Sequence, residues 1–499
     1  MNGLSIVPAL NVEFDGSALP RGVLGTLEGF SLRHELSQPS LCELSFVAPS
    51  RDFLPRPGAQ ISVTLGQDEK EIFTGEVAAV EYVRRPSGEC AVLVRAYDKL
   101  QDLRKRHTLR AYTQMSAVNL AEEMTSSLGL TVEAGEEGPA WRTLIQHNQS
   151  DFDFLSAVAR RSGLFLTLRG SVLHLLALDG LEEQVKLELG QSLFEATVEV
   201  NGGFSRGPVT AAAWDPLRVE HHEGKATTPR SALNTDALAN NSQESTTVAL
   251  ANRIATDEKQ AEAQAQAELD LRQAGAWVIS GTAEGNASLL PGTRVQVAGY
   301  PSDFPEQYVL TSVTHRMERS TGFISEISSR PLAQEPLPEA AILAWGVVTD
   351  IKDPDSLGRI RLSLPAVGDV QTDWLEVLAI GAGKGKGFIS LPDVGDKVVA
   401  LFGREDLAAG VVIGSLFGAD GVDDYGVDDK IVRFALLTPG GNKLHFDDAK
   451  KSLRLENTSG SYLEFTPDKV SLHSATDIDI TAPGKKMMIA ADTINFRRQ

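Results

Sequence analysis

Alternating apolar and polar positions run through the N-terminal part of the chain and predict antiparallel strands. Period-2 alternation occupies residues 59–66, 71–83 and 89–98, and turn residues separate these segments. Helical periodicity follows in residues 116–129 and 150–163. In both segments a serine can cap the start of a helix and a glycine can end it. This part of the chain is therefore expected to be β-rich with helical insertions.

The pattern changes again before a second β-rich region. A tight hairpin is predicted around Arg169-Gly170. Residues 221–247 are polar without periodicity and predict a long loop, whereas residues 253–275 predict a helix with a weak apolar face. Strands resume after this helix. Residues 1–330 are thus predicted to form two β-rich units with helices between them.

Two predicted linkers divide the rest of the chain. Residues 330–338 contain three prolines, which exclude a helix or a central strand, so residues 331–340 are predicted to be a linker. Residues 341–418 contain about five short strands, which suit a small closed barrel. An acidic, glycine-rich stretch, residues 419–430, predicts a second linker before residues 431–499.

The last part of the chain repeats a short apolar pair every 7 to 10 residues. The pairs are Leu444/Phe446, Leu453/Leu455, Leu463/Phe465, Val470/Leu472, Ile478/Ile480, Met487/Ile489 and Ile494/Phe496. This pattern predicts a solenoid-like ladder of short strands with one apolar face. A narrow ribbon cannot bury that face alone, and identical chains around a common axis would cover it. We therefore expect a homotrimer.

All residues of the predicted trimer core come from these pairs. They are Leu453, Leu455, Leu463, Phe465, Val470, Leu472, Ile478, Ile480, Ile489, Ile494 and Phe496. The spacing does not fix the number of chains, and the trimer is the simplest arrangement with a triangular cross-section.

Net charge and composition argue against some classes of function. The chain has 67 acidic and 47 basic residues, a net charge of −20, which disfavours binding to nucleic acid or to an anionic membrane. Two cysteines, Cys42 and Cys90, fit a reducing cytoplasm. The sequence shows no signal-peptide pattern and no apolar run of spanning length, so we expect cytoplasmic synthesis and no integral membrane segment.

The motifs that resemble chemical sites have simpler explanations. The glycine-rich residues 381–387 lack the spacing and the hydroxyl of a phosphate loop and predict a flexible barrel loop. His221-His222-Glu223 lacks a third metal ligand, and His315 is expected to be packed or to lie at an interface. We therefore predict no catalytic residue, no cofactor and no metal, and expect that the protein is not an enzyme.

The middle part of the chain carries a specific resemblance. The motif residues are Gly346, Asp353, Pro354, Gly358, Arg359, Trp374, Pro392, Gly395, Asp396 and Gly414. In this order they resemble the barrel motif of VgrG-like spike proteins of contractile injection systems, which include type VI secretion, phage tails and extracellular phage-tail-like particles. Five segments before the linker are similar to the hub of the same proteins, so the resemblance covers nearly the whole chain. They are residues 73–77, 97–100, 146–159, 289–295 and 308–315.

The resemblance implies a mainly β fold with an α+β hub of two tube-like barrels, an OB-fold collar and a C-terminal triple-stranded β-helix needle. It implies a homotrimer whose six hub barrels meet a hexameric inner tube protein. The other implied partners are baseplate proteins, a PAAR-type tip protein and cargo effectors. The assembly would work as part of an extracellular or membrane-spanning particle that punctures a target envelope.

Two departures and two alternatives remain. Some relatives carry a lysozyme domain between barrel and needle, but residues 419–430 are too few for an enzyme. Some carry a C-terminal effector, and no such pattern follows the last apolar pair. A spike-associated cell-wall hydrolase and a glycan-binding adhesin needle stay open as alternative functions.

Overall fold

The structure is a computed structural model of the 499-residue chain. The described residues are 9–49, 53–66, 70–86, 88, 90–181, 184–201, 207–215, 220–230, 247–301, 304–318, 321–332, 341–403, 407–418, 421, 426 and 429–497. The two predicted linkers, residues 331–340 and 419–430, lie largely outside them. The chain divides into two compact units, Met1–Leu416 and Phe417–Gln499, and the finer domain boundaries stay predictions.

Strands dominate the described residues. The helices are α1 Arg21–Leu24, α2 Leu100–Lys105, α3 Ala117–Thr125, α4 Asp151–Arg161 and α5 Glu258–Ala276. The hub strands are β1 Leu10–Phe14, β2 Ser17–Ala18, β3 Leu27–Glu35, β4 Leu41–Val47, β5 Gln60–Leu65, β6 Lys70–Arg84, β7 Cys90–Tyr97, β8 Arg110–Met115, β9 Thr131–Ala134, β10 Trp141–Gln146, β11 Phe165–Arg169, β12 Val172–Leu176, β13 Gln184–Glu188, β14 Leu193–Val200, β15 Val209–Asp215, β16 Glu220–Ala226, β17 Val248–Ile254, β18 Trp277–Glu284, β19 Arg294–Ala298, β20 Gln307–Val309, β21 Ser312–Glu318 and β22 Gly322–Ser328.

The remaining strands belong to two further sheets. The barrel strands are β23 Ile342–Asp350, β24 Arg361–Leu364, β25 Val370–Gln371, β26 Glu376–Val377, β27 Lys397–Phe402 and β28 Gly410–Leu416. The C-terminal strands are β29 Arg433–Leu437, β30 Lys443–Asp447, β31 Ser452–Glu456, β32 Tyr462–Phe465 and β33 Val470–His473. A mainly β fold with a helix-containing hub is therefore confirmed.

One antiparallel sheet joins both halves of the hub. Its order is β14-β18-β22-β21-β3-β4-β7-β6-β5-β1-β2, so the first and second β-rich regions meet where β21 pairs with β3. Each region keeps its own apolar core: one includes Leu44, Val63 and Val94, and the other includes Ile279 and Val295. The two predicted β-barrel units are thus two cores along one continuous sheet.

The helical insertion between β7 and β13 follows the predicted caps. Ser116 Oγ accepts a hydrogen bond from the Asn119 amide (3.2 Å), and Ser150 Oγ accepts one from the Asp153 amide (3.1 Å). Gly163 adopts a φ of +70° after α4, where an L side chain would be strained. Capping residues of this kind satisfy amides that the first helical turn leaves without partners, so they locate helix starts from sequence.

The predicted loop at residues 221–247 is wrong over its first part. His221 and His222 lie in β16, which pairs antiparallel with β15, and residues 231–246 lie outside the described residues. Helix α5 packs directly on this strand: a Cβ placed on Gly224 would lie 2.1 Å from the carbonyl carbon of Ala261. The strand meets the helix through small residues, so it carries no apolar alternation for the sequence to reveal.

The predicted helix over residues 253–275 begins five residues too early. Arg253 belongs to β17, and α5 starts after its N-cap residue Asp257. Asp257 Oδ1 accepts from the Gln260 amide, and Gln260 Oε1 accepts from the Thr256 amide, both at 2.9 Å. This arrangement resembles a capping box, except that the Gln260 side chain bonds the residue before the N-cap, and Asp257 with Gln260 three residues later was the available signal.

Two buried histidines lie where the two halves of the hub sheet meet. His34 on β3 and His315 on β21 stack edge to face with ring centroids 5.9 Å apart, which makes His315 a packed histidine. His34 Nδ1 and Ser40 Oγ share a hydrogen bond of 2.8 Å, and the Ser40 amide donates to Asp98 Oδ2 (2.9 Å). Burial lowers the pKa of His34 to about 3 and that of His315 to about 4, and raises the pKa of Asp98 to about 6.

The hub is expected to lose stability below about pH 6. As the pH falls, the two histidines take up protons near pH 6.5 in the unfolded chain but only at lower pH in the folded chain. Between these pKa values, each histidine lowers the free energy of unfolding by about 1.4 kcal/mol per pH unit. Asp98 has the opposite effect on the free energy of unfolding, because its carboxyl takes up a proton at a higher pH in the folded chain than in the unfolded chain. The other charged group near His34 is Arg169, which also disfavours its protonation. Since two histidines oppose one carboxyl, the net loss is about 3 kcal/mol from pH 6 to pH 4.

Thermal unfolding at constant ionic strength between pH 7 and pH 4 measures this slope. The double variant His34→Gln/His315→Gln should not lose stability from pH 6 to pH 4 as the wild type does, whatever its stability at pH 7, because only the opposite contribution of Asp98 is left. The exposed His221 supplies the control, since His221→Gln should keep the wild-type slope. An unchanged slope in the double variant would contradict this assignment.

Candidate functional site: the barrel motif and the apolar sheet face

A backbone bridge closes the barrel. The strands are ordered β24-β23-β27-β28-β26, with β25 beside β24. Ile360 and Leu375 then bond reciprocally: the Ile360 amide donates to the Leu375 carbonyl (3.0 Å), and the Leu375 amide donates to the Ile360 carbonyl (2.8 Å). This bridge connects the start of β24 to the start of β26. The result is a small closed barrel around a core that includes Leu362, Val398 and Phe402.

The predicted motif residues Asp353 and Arg359 form a buried ion pair. Their side chains are 2% and 0% exposed, and Arg359 Nε and Nη2 donate to the two Asp353 oxygens at 3.0 and 2.6 Å. The Leu357 amide also donates to Asp353 Oδ2 (2.9 Å). The Arg359 guanidinium holds the pKa of the Asp353 carboxyl well below its ordinary value. The pair fixes the β23–β24 turn, and Pro354 lies exposed within it.

The motif glycines serve the backbone geometry of the barrel. Gly358 has a φ of +79° in the turn that Asp353 organises, and Gly395 has a φ of +93° before β27. A Cβ on Gly346 would lie 3.0 Å from Leu362 Cδ1, so β23 and β24 approach closely there. Gly414 follows a register shift in β28. Positions 346, 358 and 395 therefore favour glycine for close packing or a turn, whereas a Cβ at position 414 would meet no atom within 4 Å.

The remaining motif residues are spread around the barrel. Pro392 is buried, and the Asp396 carbonyl accepts from the Val348 amide (2.9 Å), which joins the β26–β27 connection to β23. The buried Trp374 ring lies 5.6 Å from Arg361 Cζ. Thus the structure brings Asp353, Gly358 and Arg359 together in one turn, and it does not gather the motif into a single pocket.

Asp373 joins the barrel to the hub, a role that the sequence gave no reason to assign. Its buried carboxylate accepts from Arg142 Nε (2.8 Å), from Thr143 Oγ1 (2.8 Å) and from the Trp374 amide (2.7 Å). Ile145 of the same hub strand, β10, belongs to the barrel core. The barrel therefore docks on a strand about two hundred residues earlier in the chain.

Replacing Asp373 by asparagine is expected to loosen this junction by about 1.5–3 kcal/mol, because a charged hydrogen bond to Arg142 is lost. Hydrogen exchange should speed up at β10 and β26 while the hub strands β3 and β4 keep their protection. The exposed Asp369 offers a matched control, and Asp369→Asn should leave exchange at β10 unchanged. Equal exchange in both variants would contradict a junction at Asp373.

The C-terminal sheet has one apolar face and one polar face. Two cross-strand rows lie on one face, Phe434–Phe446–Leu453–Phe465–Val470 and Leu436–Leu444–Leu455–Leu463–Leu472. Directly paired residues share a face, so all ten side chains point the same way. We call this set the apolar sheet face. Phe434 and Leu436 extend the predicted ladder by one strand, and their alternation was readable in the sequence.

The opposite face of this sheet is polar and internally paired. Arg454 lies over the Tyr462 ring at 3.9 Å and bonds Glu456 (2.9 Å) and Glu464 (3.3 Å). The Tyr462 ring stacks on His473 with centroids 5.0 Å apart. One face of the sheet is thus suited to water, and the other presents large apolar side chains, among them Leu455 and Leu472, to solvent in the single chain.

The last three predicted pairs behave differently. Ile478, Ile480, Ile489, Ile494 and Phe496 are exposed, and residues 474–497 form no strand in the single chain. The predicted triple-stranded β-helix therefore stays a prediction: one chain shows a five-stranded antiparallel sheet followed by a segment without regular structure. A segment that pairs only with other chains would have this appearance in a single chain.

Two family models match the chain. The family model of the Alg8 N-terminal domain matches residues 42–319, more than half of the chain. The chain belongs to this family. A second model, the type VI secretion system/phage-baseplate injector OB domain, matches residues 344–417, the closed barrel described above.

Solved structures share the fold of the chain. The c3393 protein of E. coli, a component of the type VI secretion system with structural similarity to T4 bacteriophage tail proteins gp27 and gp5, is 13% identical with a TM-score of 0.55, over 81% of this chain and 99% of its own. A chain of the Francisella PdpA-VgrG complex is 10% identical with a TM-score of 0.55, over 95% of this chain and 89% of its own. The 43 kDa tail protein of prophage MuSo2 from Shewanella oneidensis is 15% identical with a TM-score of 0.51, over 64% and 97%.

These comparisons confirm the resemblance to VgrG-like spike proteins, including the OB-fold of the barrel. Among curated protein sequences, none matches this chain significantly. Within the part of the chain that the structure describes, no helix is both long and apolar enough to cross a membrane. The same residues contain no group of three potential metal-binding side chains.

Proposed function

We propose that the chain is the trimeric, non-enzymatic hub and spike of a contractile injection system. The observation that carries this proposal is the apolar sheet face, ten aligned side chains of which one chain leaves seven exposed and three half-buried. Covering such a face with identical chains removes apolar surface from water, at about 25 cal/mol per Å². The shared fold with a type VI secretion component supports the same reading.

Each part of the chain has a place in this proposal. The two cores of the hub sheet present two similar units per chain, so three chains offer six to a hexameric inner tube protein. The OB-fold barrel is the collar, and the C-terminal strands with residues 474–497 form the β-helix needle, with a PAAR-type tip protein on its end. Baseplate proteins and cargo effectors complete the partners. The assembly works within an extracellular or membrane-spanning particle after cytoplasmic synthesis.

Light scattering on the full-length protein tests the proposal. The expected mass is three times the 53.6 kDa of one chain, and a stable monomer at micromolar concentration would refute the trimer. Peptidoglycan zymography is expected to show no clearing. A cleared band that persists in the purified protein would favour the cell-wall hydrolase instead.

A further inference from the structure

The connection between β26 and β27 is an ordered hairpin. We call residues 378–391 the barrel arm. Its base is held where the Leu378 amide donates to the Val412 carbonyl (2.8 Å), and the Phe388 amide donates to the Ile380 carbonyl (2.9 Å). Nearer the tip, Gly383 and Lys386 exchange two backbone hydrogen bonds of 3.1 Å. The sequence predicted a flexible loop here, and the structure shows a paired hairpin.

The arm presents apolar side chains to solvent. Ile380 and Ile389 are 82% and 88% exposed, and Leu378, Phe388 and Leu391 are also exposed. An ordered segment loses little conformational entropy when it binds, and a contiguous exposed apolar patch marks an interaction surface. The glycines at its bends fit the paired geometry: Gly385 at the tip has a φ of +71°.

The arm is also a cationic segment of an acidic molecule. Lys384 and Lys386 lie at its tip, and residues 377–392 contain no acidic residue, whereas the whole chain carries a net charge of −20. Neither lysine forms a salt bridge with any residue that the structure describes. An apolar hairpin with a positive tip is complementary in charge to another copy of this same chain.

The same barrel offers a second apolar surface at a distance from the arm. Leu343 pairs with Leu401 and Trp345 with Val399 on β23 and β27, and their side chains point away from the barrel core. Trp345 is 58% exposed. Strand β28 separates these strands from β26, where the arm begins. Two different unpartnered patches on one barrel are what a head-to-tail interface uses, and such an interface closes into a ring of three when the rotation between successive copies is about 120°.

We propose that the barrel arm of one copy docks on the Leu343–Trp345–Leu401 surface of the next copy, with Lys384 and Lys386 against its acidic side chains. The inference rests on the proposed trimer and adds the contact that ties the three collars to one another. It makes the arm an interlock between barrels that acts independently of the apolar sheet face.

Carbodiimide cross-linking of the full-length protein tests this contact. Trimers assembled from a mixture of ¹⁵N-labelled and unlabelled chains distinguish cross-links between copies from those within one copy. Lys384 or Lys386 is expected to link to carboxylates of another copy. The variants Ile389→Ser and Trp345→Ser should each lower this yield at least tenfold. Leu54→Ser should not, although Leu54 of the hub is as exposed as Trp345.

The outcomes separate the interlock from the proposed function. Trimers of unchanged mass whose arm lysines link only within one copy would overturn the interlock and leave the spike intact. Binding of the wild-type protein, but not of Ile389→Ser, to phosphatidylglycerol vesicles with no cross-link between copies would likewise overturn it and assign the arm to a lipid surface. A monomeric mass would instead refute the trimer on which both proposals rest.

Discussion

An Asp353→Ala variant is expected to lose about 3–5 kcal/mol of barrel stability, because the fully buried Arg359 guanidinium would keep its charge without its bidentate partner. The loss also removes the oxygens that hold the turn between β23 and β24. Because the pKa of Asp353 lies below its ordinary value of 3.8, the ion pair stays intact above about pH 4. It weakens only as the pH falls further.

Hydrogen exchange of the Ile360 and Leu375 amides reports this change, since those amides close the barrel. A loss of 3 kcal/mol corresponds to about a hundredfold faster exchange where opening limits it. Asp355→Ala is the matched control: Asp355 also bonds Arg359 (2.6 Å) but is 43% exposed, so its loss should cost under about 1 kcal/mol. Wild-type protection in Asp353→Ala would show that the ion pair does not hold the barrel closed.

The barrel motif was readable from sequence because its chemistry is local. Asp353 and Arg359 are six residues apart, and Gly358 supplies the positive φ between them, so one short segment contains both partners and the turn. The helix caps at Ser116 and Ser150 are local in the same sense. Such features depend on a few neighbouring residues, and a pattern in one window can reveal them.

The junction of barrel and hub was not readable, because its partners are remote in the chain. Thr143 and Asp373 are 230 residues apart, and neither is distinguished by the residues next to it in the sequence. The strand β16 was missed for a related reason, since its contact with α5 runs through Gly224 and Ala226 rather than through large apolar side chains. Tertiary packing determines both the barrel–hub junction and strand β16, and no local pattern of apolar and polar residues indicates that packing.

The C-terminal part of the chain was predictable from the sequence only in part. The spacing of the apolar pairs placed four pairs correctly on one face, because period-2 alternation fixes the face of any strand. Pairs from Ile478 onward form no strand in the single chain. Their hydrogen-bonding partners, in the proposed trimer, belong to other chains, so neither the local pattern nor a single chain determines their register.

A Leu463→Asp variant is expected to abolish the trimer at micromolar concentration. Leu463 lies in the middle of the apolar sheet face, paired with Leu455 on one side and Leu472 on the other. In the trimer three carboxylates would be placed in the shared core, each with a desolvation cost of several kcal/mol. Every 1.4 kcal/mol weakens association tenfold, so the sum exceeds what a micromolar concentration can offset.

Sedimentation velocity of the full-length protein distinguishes this effect from misfolding. The single chain leaves Leu463 half-buried, so the variant should sediment as a monomer whose barrel amides at Ile360 and Leu375 keep their protection. Ala435→Asp places the same charge on the polar face of the sheet, opposite His445, and should stay trimeric. Ile478→Asp/Ile480→Asp should behave as Leu463→Asp does if residues 474–497 join the same core. A trimeric Leu463→Asp protein would mean that the apolar sheet face is covered by something other than sister chains.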